Sequence, residues 1–127
     1  MRAFLICVIA ACSPGAEREN GVDVVRDAAL VFCTSEAIPT SVTPFRACWH
    51  SFSECDAAKS SAEAERQQRF RCVTTKNYAC MQFTTRTEQK TIEICAASYG
   101  ECESVRLGVT ADPEVMSATA CKIFRAP

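Results

Sequence analysis

The chain has 127 residues, ten of them cysteine, and a formal net charge of −1. That length holds one domain with a single core, and near-neutrality excludes strong global steering toward a polyanion. Nucleic acid is accordingly not an expected partner.

Arg2 precedes an uncharged apolar run, residues 3–11, which has the length of a signal h-region and is too short to span a bilayer. Its end, Ile9-Ala10-Ala11-Cys12, resembles the lipobox of bacterial lipoproteins, where an aliphatic and two small residues precede a cysteine that is diacylated and becomes the mature N-terminus. The resemblance implies a signal peptide over residues 1–11, lipidation of Cys12 and a membrane partner through that lipid. It also implies loss of Cys7 with the leader. Ser13, in place of the Asp that retains such proteins at the inner membrane, points to the outer membrane of the bacterial envelope. Ordinary secretion or a periplasmic protein is the alternative. Cleavage leaves 116 residues with a charge of −2, because Arg2 is lost. Residues 12–21 contain Pro14, Gly15 and Gly21 among polar residues and are expected to form a flexible tether to a domain over residues 22–127.

Within that domain, residues 28–33 are the first strand candidate. Residues 42–49, interrupted by Pro44, are the second and suit an edge. A helix is expected after Ser53, with Ser53 and Asp56 as N-cap and N3, and Glu54 and Asp56 at the positive end of its dipole. Its body, from Ala57 to about Gln68, is rich in good helix formers, with Cys55, Ala58 and Ala62 on one thin apolar side. Strand-like alternation follows in residues 69–74, with Phe70 and Cys72 opposite Arg69 and Arg71. It recurs in residues 91–96, with Ile92 and Ile94 opposite Glu93 and Cys95. Residues 119–124 supply a last strand. The fold class is α+β: an antiparallel or mixed sheet of about four or five short strands, covered by the Ser53 helix and by shorter helical turns after Cys80 and Cys102.

Eight cysteines remain in the domain, an even number that an exported chain can close into four disulfides. Three segments look alike, 48–55, 72–80 and 95–102, each beginning and ending in cysteine with an aromatic residue (Phe52, Tyr78, Tyr99) shortly before the second. Lys59 and Arg106 follow two of them at the same distance. Read as three strand-turn-helix units, they predict the bridges Cys48–Cys55, Cys72–Cys80 and Cys95–Cys102. Each is worth about 2.5 kcal/mol in the chain-entropy model, and Cys33–Cys121 remains as a terminal closure.

The eight domain cysteines contain no C-x2-C or C-x4-C pair for zinc or thiol exchange, and the chain has no dinucleotide, P-loop or H-E-x-x-H pattern. No catalytic residue, cofactor or metal ligand is assigned on these grounds. His50 is the single histidine. Trp49, His50 and Phe52 form one candidate interaction surface, and Arg66, Arg69 and Arg71, with Lys76, Phe70 and Tyr78 nearby, form another. The leading expectation is a noncatalytic exported lipoprotein with a binding or structural role, its partner an envelope protein, lipid or polysaccharide. One alternative is a small secreted hydrolase in which His50 borders a concave pocket beside Ser51, Cys55 or a carboxylate from another segment. Another is an inhibitor or toxin-like module presenting a Cys48–Cys55 loop.

Overall fold

The computed structural model describes residues 16–36, 46–66 and 69–127, without the side chains of residues 16, 17, 36 and 66. The expected signal peptide and Cys12 lie outside the described residues, as does the first part of the Pro44 strand. Among the described residues nine strands and two helices follow in the order β1 (Ala16–Glu19), β2 (Val22–Arg26), β3 (Val31–Glu36), β4 (Ala47–Trp49), α1 (Phe52–Arg66), β5 (Phe70–Thr75), β6 (Asn77–Thr85), β7 (Thr91–Ala96), α2 (Tyr99–Thr110), β8 (Val115–Ala118) and β9 (Lys122–Arg125). The class is α+β. The sheet is wider than sequence alone predicts.

The strands form one mixed sheet in the order β1-β2-β9-β6-β7-β4-β3-β5, with β8 also pairing β6. Among the described strand pairs only β2–β9 is parallel. Four cysteines stand in one row across its middle: Cys33 is opposite Cys48, Cys48 opposite Cys95, and Cys95 opposite Cys80. Residues directly opposite share a face, so all four side chains emerge on the same side. All are buried, beside Val31 and Tyr78. Tyr78 stacks on Phe124 with ring centroids 5.3 Å apart, and its hydroxyl donates to the Ala29 carbonyl at 2.8 Å. Burial raises the Tyr78 pKa, with a smaller contribution from the Glu93 charge.

Both helices lie on the other face. Thr34, which alternates with Cys33, is opposite Cys72, and Cys72 is bridged to Cys55 of α1. Cys121, the residue before β9, is bridged to Cys102 of α2. There Ala79, Met81, Ala96, Cys102 and Cys121 form a second buried cluster, with Ile94, Val105 and Val109 packed against it.

The disulfides therefore differ from the expected set in every pair: they are Cys33–Cys48, Cys55–Cys72, Cys80–Cys95 and Cys102–Cys121. The expected local bridges Cys48–Cys55, Cys72–Cys80 and Cys95–Cys102, and the Cys33–Cys121 closure, are not formed. Sheet register is the physical reason. Cys33/Cys48 and Cys80/Cys95 face each other across adjacent antiparallel strands with Cα atoms 4.0 Å apart, which is the close, non-hydrogen-bonded kind of pair. Cys48 and Cys55, by contrast, sit on a strand and on the helix covering the opposite face. Four closed disulfides belong to an extracytoplasmic protein, because such bonds persist outside the reducing cytosol.

The three-unit repeat gives way to two units of 47-residue spacing. Cys33, Cys48 and Cys55 recur as Cys80, Cys95 and Cys102, and Cys72 recurs two residues late as Cys121. Each unit runs strand, strand, helix, strand, with β8 added after the helix of the second, and the registers of the shared strands correspond. Cys33 is opposite Val73 as Cys80 is opposite Lys122, and Phe32 is opposite Trp49 as Ala79 is opposite Ala96. The two units meet at β4–β7, where Cys48 is opposite its own equivalent, Cys95. The pairing pattern thus has two-fold symmetry about that residue pair.

Several local expectations are also revised. Residues 16–19 are not tether but the first strand of a hairpin, closed at Asn20-Gly21 with φ of 52° and 79°, as a type I′ turn requires. No helical turn follows Cys80, where the β-branched pair Thr84-Thr85 continues β6 as strand. After Cys102 the expected short turn is a full helix, α2, that starts before the cysteine. The α1 cap is Ser51 rather than Ser53, with Ser51 Oγ accepting the Glu54 N–H at 3.2 Å. Ser98 accepts the Glu101 N–H at the same 3.2 Å, so the two helix starts are built alike.

Candidate functional site: a notch between the two units

The β4–β7 ladder ends at Cys48–Cys95 on the side where the chain leaves β4 for α1. Beyond it, a cavity of about 400 Å3 is lined by Ala47, Cys48, Trp49, His50, Glu54, Glu93, Ile94 and Cys95. His50 and Glu93 stand two residues further along the same register, on the face of Cys48 and Cys95, and His50 Nε2 lies 2.7 Å from Glu93 Oε1. Both are exposed, so the contact carries little stability by itself. Glu54 lies in the first turn of α1. Its carboxylate has no hydrogen bond or ion pair among the described residues. On its other side Glu93 borders a hollow of about 100 Å3 that Lys122 also lines.

The symmetry-related notch is filled. There Arg46, the equivalent of Glu93, sits in register with Ala97, whose N–H donates to the Arg46 carbonyl at 3.0 Å. Arg46 Nε donates to Glu101 Oε1 at 3.1 Å, Nη2 to Oε2 at 2.8 Å, and the Arg46 backbone N–H to Oε1 at 2.9 Å. Glu101 is the equivalent of Glu54. Burial acts to raise the Glu101 pKa, but the hydrogen bonds from Arg46 and Ser98 outweigh it and hold the carboxyl below its ordinary value. The same pairing raises the Arg46 pKa.

The first expected surface is thus partly assembled here. Trp49 is half-buried at the end of β4, His50 is exposed, and Phe52 is 48% exposed, with its ring 5.8 Å from that of Phe32. The loop that carries them is not closed by a Cys48–Cys55 bridge, since Cys48 pairs with Cys33 and Cys55 with Cys72. The second expected surface does not converge on the cavity. Arg69 and Arg71 are exposed at β5, the last strand of the sheet, and the Arg66 side chain lies outside the described residues. Phe70 is half-buried there, and Tyr78 is a core residue rather than an exposed ring.

Chemically, the notch offers two carboxylates, an imidazole and an aromatic wall. His50, Glu93 and the Cys95 sulfur lie close enough to suggest three metal ligands, but Cys95 is bridged to Cys80 and has no thiolate to donate. Two donors remain, fewer than the three protein ligands of catalytic zinc sites. Part of the hydrolase geometry is met, since His50 borders a concavity and meets a carboxylate from another segment. The nucleophile is not. Ser51 Oγ is engaged in the α1 cap, and Cys48, Cys55 and Cys95 are oxidised. Sequence reasoning found His50 but missed Glu93 as its partner, and it assigned Glu54 only to the helix dipole.

Comparisons with protein-family models, with curated proteins and with solved structures find no match to this chain in any of the three. No helix among the described residues is long and apolar enough to cross a membrane.

Proposed function

We propose that this is an exported, disulfide-locked binding module, tethered to the bacterial envelope through a lipid on Cys12, which holds a ligand in the notch without catalysing a reaction. The observation that carries the reading is the notch itself. It is an open cavity edged by polar and aromatic side chains, and its floor includes two oxidised cysteines of a rigid, cross-linked sheet. The lipobox-like leader and the requirement of four disulfides for an oxidising compartment support the location. An envelope protein, lipid or polysaccharide is the class of partner.

Metabolic labelling with a fatty-acid analogue tests the tether. Label is expected in the native protein and lost in Cys12→Ala, and equal label in both rules the tether out. For binding, purified Cys12→Ala protein is expected to be retained by intact envelopes, and the notch-filling variant Glu93→Arg to be washed away. Equal retention of both removes the notch from the function.

The 2.7 Å His50–Glu93 contact favours one rival, a hydrolase in which this pair activates water. Turnover of a chromogenic ester or glycoside that disappears in His50→Ala would establish it.

A further inference from the structure

Equivalent positions of the two units differ in a way that specifies a ligand. In one notch the carboxylate at the third helical position, Glu101, clamps the guanidinium of Arg46 and also accepts its backbone N–H. In the other, the same helix cap and the same register are present, yet the position of Arg46 is taken by Glu93. The Glu93 carboxylate turns to His50, and Glu54 is left facing a cavity of about 400 Å3 with no cation paired to it among the described residues. Charge and shape agree on the occupant. Two carboxylates outweigh one imidazole, which is charged only when protonated. Trp49, a residue type whose ring attracts cations, is also among the residues that line the cavity. Carboxylate recognition of a planar guanidinium is bidentate and directional, and the equivalent notch already performs it with Arg46 and Glu101.

We propose that the notch binds a guanidinium group from outside the domain, with Glu54 in the role that Glu101 plays for Arg46 and Glu93 as the second carboxylate. The proposal rests on the binding reading above and adds the chemistry of the ligand. The imidazole of His50 holds Glu93 at the rim, so the guanidinium enters between the two carboxylates and the indole.

The test is titration of the full mature Cys12→Ala protein by amide NMR, with N-acetyl-arginine methylamide, methylguanidine and the neutral citrulline counterpart of the first. Both guanidinium compounds are expected to shift Ser51, Glu54 and the Trp49 indole, and the citrulline compound to leave them unmoved. If only the arginine derivative binds, the natural ligand is a peptide arginine; if methylguanidine binds equally, the group alone suffices. Glu54→Gln is expected to weaken binding at least tenfold. Glu93→Arg is expected to abolish it, because the new side chain pairs with Glu54 and fills the notch as Arg46 fills its counterpart. A circular dichroism melt at or above the native midpoint shows that this variant is folded. Equal binding of the citrulline compound, or undiminished binding in folded Glu93→Arg, overturns the proposal. If Glu93→Arg prevents retention by envelopes while neither guanidinium shifts a resonance, the binding module stands and the guanidinium assignment falls. Zinc shifting His50 where the guanidinium compounds shift nothing overturns it as well.

Discussion

Residues 31–75 and 77–125 are two versions of one strand-strand-helix-strand unit, the second with β8 inserted after its helix, and each has the corresponding pair of disulfides, but they are buttressed differently. The second unit has a long β6–β7 hairpin of six paired positions, against two for β3–β4, and its outer strand β9 is covered by the β1–β2 hairpin. Among the described residues the first unit ends in β5, whose outer side has no strand partner. The shared frame is therefore cross-linked evenly and supported unevenly. Where backbone pairing is short, the covalent bond must hold the register. Divergence is freest where the two units meet, since the residues that differ there, Arg46 against Glu93 and Ala97 against His50, are not among the buried residues of either cluster.

The largest effects come from the two bridges of the cysteine row. Each spans 15 residues in sequence, so the chain-entropy model assigns each about 3 kcal/mol. Replacing Cys33 and Cys48 with Ala is expected to lower the melting temperature and to speed amide exchange throughout β3, β4 and β5. Replacing Cys80 and Cys95 should cost similar global stability but leave the β6–β7 ladder protected, because its other pairs persist. Equal loss of protection in both halves would break the claim that the first unit depends more on its bridge.

A smaller effect separates the two notches. Glu101 has its pKa lowered in the folded protein, so its contribution is complete above the unfolded carboxyl value, about 4.3, and is lost as pH falls through the lowered folded value. Only the filled notch contains this pair. Glu101→Gln is expected to cost about 1–2 kcal/mol near neutral pH, from charge-assisted hydrogen bonds that are partly open to solvent. The deficit should shrink on acidification as native Glu101 becomes protonated. Urea denaturation at neutral pH and near pH 3 measures it, and a deficit that does not change between them removes the Arg46–Glu101 charge from the account.

Much of this duplication was legible. Ser51-Phe52-Ser53-Glu54-Cys55 and Ser98-Tyr99-Gly100-Glu101-Cys102 align without a gap, and the separations Cys33 to Cys48 and Cys80 to Cys95 are equal. The segment from Cys72 to Cys80 has a similar length but lacks the Ser-aromatic and Glu-Cys elements. It joins the end of one unit to the start of the next and imitates a third. The alternation of residues 91–96 marked β7 at its true bounds, because one face carries isoleucine and the other is polar up to Cys95. Bridge partners were not legible, since cysteines close in sequence lie on opposite faces of a sheet whose register is set across the whole domain. The site was half legible for the same reason. His50 stands out as the lone histidine, but Glu93 is 43 residues away and reaches it only through the β4–β7 register.

The smallest predicted effect concerns support that only the second unit receives. The β1–β2 hairpin lies against β9, and Glu19 is bound there by Arg125, a contact that lowers the Glu19 pKa. Its turn places Gly21 at φ 79°, in the left-handed region that residues with a Cβ rarely adopt. A Cβ built at Gly21 meets no atom within 4 Å, so Gly21→Ala should cause no clash. The expected cost is the conformational one alone, about 1 kcal/mol. Most of it should appear as faster amide exchange in β1 and β2, with the eight-cysteine frame unaffected. If the whole domain instead loses several degrees of melting temperature and β3–β5 exchange faster too, the hairpin is part of the cooperative core, and the two units are not separable at β9.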